Sequence, residues 1–202
     1  MKIAAIIEAR MGSTRLPGKT LKLIAGTPLL ERLLERVQRS KLLNTIVVAT
    51  TIEPADDQIQ ACCDRLGIQS YRGSVDDVLD RVVKAAQSCA ADIIVELHGD
   101  NPLLDPEIID MAIQRYLVGD CDYVSTTLTN TFPSGLRVQV FSRQALEHIA
   151  RNSNDPADRE HVSLHFYEHP KQYRLAHVEA PKEISRPDLR FTVDTPEDFA
   201  LV

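Results

Sequence analysis

The sequence predicts an α/β fold: a Rossmann-like, mostly parallel twisted sheet flanked by helices. Three observations predict it. Short β-prone runs at 3–7, 45–50, 68–71 and 92–97 alternate with amphipathic helical stretches, the rhythm of right-handed βαβ units. The first run, Ile3-Ala4-Ala5-Ile6-Ile7, is apolar throughout, as a strand covered on both faces must be. A loop carrying Arg10, Arg15 and Lys19 leaves its carboxyl end, the edge at which open α/β sheets collect ligands.

Each element has a local warrant. Residues 27 to about 38 carry leucines at 29, 30, 33 and 34 with Val37 on one helical face, and Thr27-Pro28 offers a cap followed by proline at the first helical position. A strand at 45–50 precedes a helix at 54–66, which Gly67 ends as its C-terminal cap. After the short strand at 68–71, Ser74-x-x-Asp77 makes a capping-box-like start to a helix reaching about Cys89. Asp77 and Arg81, four apart on that helix, are placed to pair. A strand at 92–97 and a helix at 106–117 complete the regular half. Beyond about residue 122 the pattern changes. Strands at 122–127 and 136–141 enclose a loop, Ser142 caps a helix to about 150, and a polar turn at 152–156 leads to a helix at 158–169. Strands are expected near 173–178 and 190–193, then a helix starting within Asp194-Thr195-Pro196-Glu197-Asp198. The stretch from about 122 to 180 is expected to face a second substrate or a subunit partner.

Length and composition fit one domain spanning 1–202, with 44% hydrophobic and 26% charged residues. A net charge of −6 argues against a nucleic-acid partner. No apolar run approaches the roughly 18 residues of a membrane span and the N-terminus lacks a signal-peptide pattern, so the expected location is cytoplasmic. The four cysteines (62, 63, 89 and 121) show no metal spacing and are expected as free thiols, with Cys89 and Cys121 as small core residues.

The loop at 8–20 holds three cations, the hydroxyls of Ser13 and Thr14, and two glycines. Charge-assisted forks, hydroxyl donors and bare backbone N–H groups are what a polyphosphate requires. The scheme is not that of a Walker loop. Five residues separate Gly12 from Gly18-Lys19-Thr20, where a Walker loop has four, and no helix follows directly. The Rossmann G-x-G-x-x-G is absent as well.

Ala9-Arg10-Met11-Gly12-Ser13-Thr14-Arg15-Leu16-Pro17-Gly18-Lys19-Thr20 resembles the cytidylyltransferases of cell-surface sugar biosynthesis, in the branch of spore-coat polysaccharide biosynthesis proteins. Cousins in that group activate 3-deoxy-octulosonate and sialic acids with CTP. The resemblance continues through Tyr71 to Arg81, Gly99-Asp100-Asn101-Pro102-Leu103, Arg159-Glu160-His161-Val162 and Val193-Asp194-Thr195-Pro196-Glu197-Asp198. It implies transfer of CMP from CTP to a sugar or sugar acid, with release of pyrophosphate, by a homodimer using magnesium. It also implies a longer C-terminal helix than the one begun at Thr195, which is expected to be cut short.

By the same resemblance, Ala9, Arg10, Gly12, Ser13, Arg15 and Lys19 hold the nucleotide, with Arg10, Arg15, Lys19 and Asp100 as the catalytic set. Arg72, Gly73 and Ser74 line the base and ribose, and Arg137, Glu160 and His161 face the acceptor. Asp100 and Asp194, each after a predicted strand, are the expected magnesium carboxylates; unscreened by a cation they would repel. Asn101 and Arg137 depart from the family pattern. Glu8 stands where relatives have Gln or Pro, and the sequence gives it no role. His98 reads as a sheet-end packing residue. His161 and His165 would share a helix face, but neither an HExxH nor a third ligand accompanies them. A P-loop NTPase with Asp100 as its Walker-B carboxylate, and a non-catalytic nucleotide- or sugar-binding module, are the alternatives.

Overall fold

The computed structural model describes all residues, 1–202. β1 (Ile3–Glu8) is buried along nearly its whole length. After the cationic loop and a 3-10 turn at Lys19–Leu21, β2 (Leu23–Ile24) and β3 (Thr27–Pro28) form a small hairpin feeding α1 (Leu29–Val37). β4 (Thr45–Thr51), a 3-10 turn at Pro54–Asp56 and α2 (Asp57–Leu66) follow, and Gly67 closes α2 at φ 66°. Next come β5 (Gln69–Gly73), α3 (Val78–Ser88), β6 (Ile93–His98) and α4 (Pro106–Leu117). The second half contains β7 (Tyr123–Ser125), β8 (Gln139–Ser142), α5 (Arg143–Asn152), α6 (Pro156–Glu160), α7 (Leu164–Glu168), β9 (Leu175–His177) and α8 (Pro196–Leu201).

The main sheet runs β5-β4-β1-β6-β8-β7-β9. Its first four strands are mutually parallel, β8 is antiparallel to both neighbours, and β9 is parallel to β7. Alternation along β1 divides the core. Ile3, Ala5 and Ile7 join Leu30, Leu33, Leu34, Ile59 and Ile109 of α1, α2 and α4 on one face. Ala4 and Ile6 join Leu79, Val82, Ala86, Leu146 and Phe166 of α3, α5 and α7 on the other. Each buried Leu, Ile, Val or Phe side chain among these contributes about 1.5–3 kcal/mol of transfer free energy. No helix is long and apolar enough to cross a membrane.

Five local expectations are corrected. Thr27 does not cap α1, because Thr27-Pro28 pairs with β2 across an Ala25-Gly26 turn whose residues both have positive φ (48° and 80°). Ser74 does not cap α3: Asp77 does, accepting from Asp80 N at 2.9 Å, while Ser74 Oγ accepts from Asp77 N at 3.0 Å. Asp77 pairs with Arg159 Nη1 at 3.2 Å rather than with Arg81, whose guanidinium donates to the carbonyls of Ser74 and Val75. The helix expected at 158–169 is two short helices, parted where Ser163 turns its hydroxyl to Gln139 Oε1 at 2.7 Å. Residues 190–193 form no strand; one bridge, Ser134 to Arg190, and the bond from Val193 N to Asp100 O (2.9 Å) hold them. The four cysteines are free, and Cys62 and Cys63 are buried as well as Cys89 and Cys121, for which burial was expected.

Candidate active site

The parallel strands all deliver their carboxyl ends to one edge, and a cleft of about 1130 Å³ opens there. Of the 30 residues lining it only 5 are hydrophobic, which suits a charged, hydroxyl-rich ligand rather than an apolar one. Three groups of residues build it: the loop after β1, the carboxylates after β6 and before α8, and a wall formed by residue 137, β8 and α6.

The loop is braced from below. Met11 O accepts from Ser13 N (2.9 Å) and Gly18 N (3.3 Å), and Gly18 takes a left-handed φ of 69°. Met11 N donates to Asp56 Oδ1 at 2.7 Å, and the buried Thr20 hydroxyl donates to Arg10 O at 2.8 Å. Asp56 also accepts from Thr51 N at 3.1 Å, so the loop is tied to the end of β4. A close approach fixes the loop against β6: a Cβ on Gly99 would lie 2.7 Å from Glu8 O, and Gly99 N donates to that oxygen at 2.8 Å.

Lys19 brings the loop and the carboxylates together. Its Nζ lies 3.0 Å from Asp100 Oδ2, 3.0 Å from Asp194 Oδ1 and 2.7 Å from Val193 O. The two carboxylate oxygens are therefore no farther apart than twice the first distance. Arg15 Nη2 also reaches Asp194 Oδ1 (2.9 Å), and Arg190 Nη2 reaches its Oδ2 (2.6 Å). Burial alone would push the Asp194 carboxyl up, but Lys19, Arg15 and Arg190 outweigh it and hold it below the usual carboxylate range. Asp198 Oδ2 accepts from the amides of Asp194 and Thr195 at 2.9 and 3.0 Å, closing the capping box that begins α8.

The match to the family model of the cytidylyltransferases spans residues 4–202. The chain belongs to the cytidylyltransferase family. Over 202 residues this cytidylyltransferase-family chain is 39% identical to the spore coat polysaccharide biosynthesis protein SpsF of Bacillus subtilis, covering 98% of this chain and 83% of that one. A solved cytidylyltransferase from Leptospira borgpetersenii superposes with a TM-score of 0.93 at 34% identity, covering 98% of this chain and 84% of that one. A 3-deoxy-manno-octulosonate cytidylyltransferase of Pelobacter propionicus is 38% identical over 119 residues, 58% of this chain and 45% of that one.

Most residues singled out in the sequence meet in this cleft: Ala9, Arg10, Gly12, Ser13, Arg15, Lys19, Ser74, Asp100, Asp194, Arg137, Glu160 and His161 all line it. Arg72 and Gly73 do not. The Arg72 guanidinium is committed to Thr51 O (2.9 Å), Glu53 O (2.8 Å) and Asp57, clamping the β4–α2 connection. Gly73 is enclosed by Arg81 Cγ and Tyr71 Cε1, each 3.0 Å from where a Cβ would stand. Asn101 lies buried outside the cleft lining, and His98 lines it rather than simply packing. His165 is held by Asp158 Oδ2 at 2.8 Å outside the cleft, and no group of three or more His, Cys, Asp or Glu forms a self-sufficient metal cage.

Sequence reasoning passed over Glu96 and Gln139, and gave Arg81, which also lines the cleft, only a pairing with Asp77. The signal for Glu96 was present: a single acid inside the apolar run Ile93-Ile94-Val95-Glu96-Leu97, where an uncompensated charge is costly. Gln139 had no such signal, since its partners, Tyr123 Oη (2.6 Å) and Ser163 Oγ, are brought to it only by the fold.

Proposed function

We propose that the protein transfers CMP from CTP to a hydroxyl of a sugar or sugar acid and releases pyrophosphate. One observation carries the reading: a single ammonium, Lys19 Nζ, stands 3.0 Å from each of two carboxylates delivered by segments 94 residues apart in the chain. A phosphate-binding cation and two hard-metal ligands thus share one point at the strand ends, the arrangement that nucleotidyl transfer needs.

Arg10, Arg15 and Lys19 would hold the triphosphate and stabilise the charge that accumulates on the departing pyrophosphate. Asp100 and Asp194 fit a hard divalent cation, because magnesium takes one or two carboxylates and completes its shell with phosphate oxygens and water. When bound, magnesium would neutralise and polarise the α-phosphate. Ala9, Gly12, Ser13 and Ser74 border the nucleotide, and Arg137, Glu160 and His161 border the acceptor. Arg72 and Gly73 would serve the base side only through the backbone they position, since the side chain of Arg72 is already engaged. The relatives' names, an octulosonate cytidylyltransferase and a spore coat polysaccharide biosynthesis protein, support a role in cell-surface polysaccharide precursor synthesis, which we place in the cytoplasm.

A pyrophosphate-release screen tests the reading: four NTPs with magnesium against sugars and sugar acids, including 3-deoxy-manno-octulosonate. Acceptor-dependent pyrophosphate from CTP is expected. Release of phosphate instead would indicate an NTPase, and CTP binding without release over the whole panel would indicate a binding module.

A further inference from the structure

Glu8 and Glu96 are acids deep in the cleft for which phosphate binding has no use. They lie on adjacent central strands, and the parallel register that sets Ile6 beside Glu96 and Glu8 beside His98 puts both acids on one face of the sheet. Glu96 is only 2% exposed, yet it lines the cleft, as does Glu8. Glu8 Oε1 and Glu96 Oε2 are both buried with no protein donor reaching them. One proton shared between the two carboxyls satisfies both oxygens, whereas two bare charges there would repel at close range. The strand order β1-β6-β8 also places the pair between the phosphate loop, which leaves β1, and the acceptor wall around Arg137 and Gln139, which enters β8.

We propose that Glu96, in a proton-sharing pair with Glu8, is the base that removes the proton from the attacking hydroxyl of the acceptor. The proposal rests on the cytidylyl-transfer reading above and names a catalytic residue within it. The acceptor oxygen bonds to the α-phosphorus while its O–H bond breaks and the proton passes to the Glu96 carboxylate. The bond from the α-phosphorus to the bridging oxygen breaks, and pyrophosphate leaves with that electron pair. The pair, which carries one proton at rest, then carries two, and one of them returns to solvent in the cleft.

The setting supports the assignment. Burial pushes Glu96 up to about 7, against the pull of Ser163, Glu8 and Arg137. Burial likewise pushes Glu8 up to about 8, opposed by His98 and Arg81 and reinforced by Glu96. A base poised near neutrality combines availability with proton affinity. The charged and titratable groups facing the pair are Arg81 on α3, His98 on β6, Arg137 ahead of β8, Tyr123 on β7 and Tyr167 on α7. Glu160 and His161, the other cleft groups able to take a proton on the acceptor side, are exposed at the end of a short helix, whereas Glu96 sits in the centre of the sheet.

The test uses the full chain with magnesium and CTP, measuring pyrophosphate release over the sugar and sugar-acid panel between pH 5.5 and 9. Glu96→Gln should lower kcat by roughly a hundredfold or more, leave KM for CTP within about threefold, and abolish the rise of kcat with pH. Glu96→Asp should restore part of the rate, and Glu8→Gln should move the midpoint of the rise without removing it. CTP-induced thermal stabilisation should be the same in wild type and Glu96→Gln. Turnover of Glu96→Gln near the wild-type rate, or an unaltered pH profile, overturns the base while leaving cytidylyl transfer standing. If circular dichroism finds Glu96→Gln unfolded, Glu96→Asp and Glu8→Gln decide: a wild-type rate and profile in both overturns the proposal. A wild type that binds CTP but yields no pyrophosphate with any acceptor overturns the transfer reading, and the base with it.

Discussion

Asp194 illustrates how one residue's surroundings reverse a prediction made from its neighbours in sequence. Two carboxylates at one metal site suggest mutual repulsion, and hence a gain in stability when one is neutralised. The structure instead places Lys19, Arg15 and Arg190 on Asp194. Asp194→Asn is therefore expected to lower stability by about 1–3 kcal/mol, the cost of leaving partly buried donors unpaired. Turnover should fall by about two orders of magnitude or more, through lost transition-state charge stabilisation. Denaturant titration and pyrophosphate release on one preparation separate the two effects; unchanged stability would show the three cations to be idle. Arg15→Ala should weaken CTP binding by about ten- to a hundredfold, the ~1.5–3 kcal/mol of a charge-assisted hydrogen bond, as read by calorimetry. Glu8 has the opposite linkage to Asp194. With its carboxyl raised to about 8, the folded state holds a proton that the unfolded chain has lost, so stability declines as pH rises from the ordinary carboxylate range through about 8. Asp194, held low, contributes stability that disappears as pH falls. Glu8→Gln should accordingly raise Tm relative to wild type more at pH 8.5 than at pH 5, and a pH-independent difference would contradict the shared proton.

At the scale of elements, the cationic loop after β1 depends on a turn that is not part of it. Asp56, in the 3-10 turn before α2, accepts from Met11 N at 2.7 Å and from Thr51 N at 3.1 Å. Asp56→Ala should weaken CTP binding about tenfold by loosening the loop, with kcat at saturating CTP less affected; equal losses in both would mean that Asp56 acts in the transition state. The regular half of the fold was legible because its signals are local. The apolar run of β1, the leucine face of α1 and Gly67 after α2 each report on their own few residues. What could not be read was set by partners far away. Thr27-Pro28 has good cap chemistry, but a two-residue hairpin with Leu23-Ile24 claims it. Residues 158–169 have helical composition, but the break at 161–163 is fixed by Gln139 from another strand. The candidate site divided the same way. The loop cations and both aspartates were visible in local motifs, whereas the Glu8–Glu96 contact exists only through the β1–β6 register.

For the whole molecule, the end of the main sheet bears on assembly. β9 is an edge strand of three residues, and the segment around it belongs to the irregular half after residue 122. An unpaired edge is a ready surface for a second copy. The protein is expected to be a homodimer, and light scattering across micromolar concentrations checks this; a monomer at every concentration would reject it.

The contact of Val193 with Asp100 has a consequence for how the molecule comes into being on the ribosome. β1, β4, β5 and β6 are all emitted by residue 98, so the central parallel sheet can condense before the segments that carry Arg137, Glu160 and Asp194 are made. Asp194 arrives later and docks on a scaffold that is already present, through the hydrogen bond from Val193 N to Asp100 O and the grip of Lys19 and Arg15. Folding and competence are then separate events in time. Trimming the chain before residue 190 should leave a folded but inert body, and newly made protein should join Asp194 to Lys19 only after its core has formed.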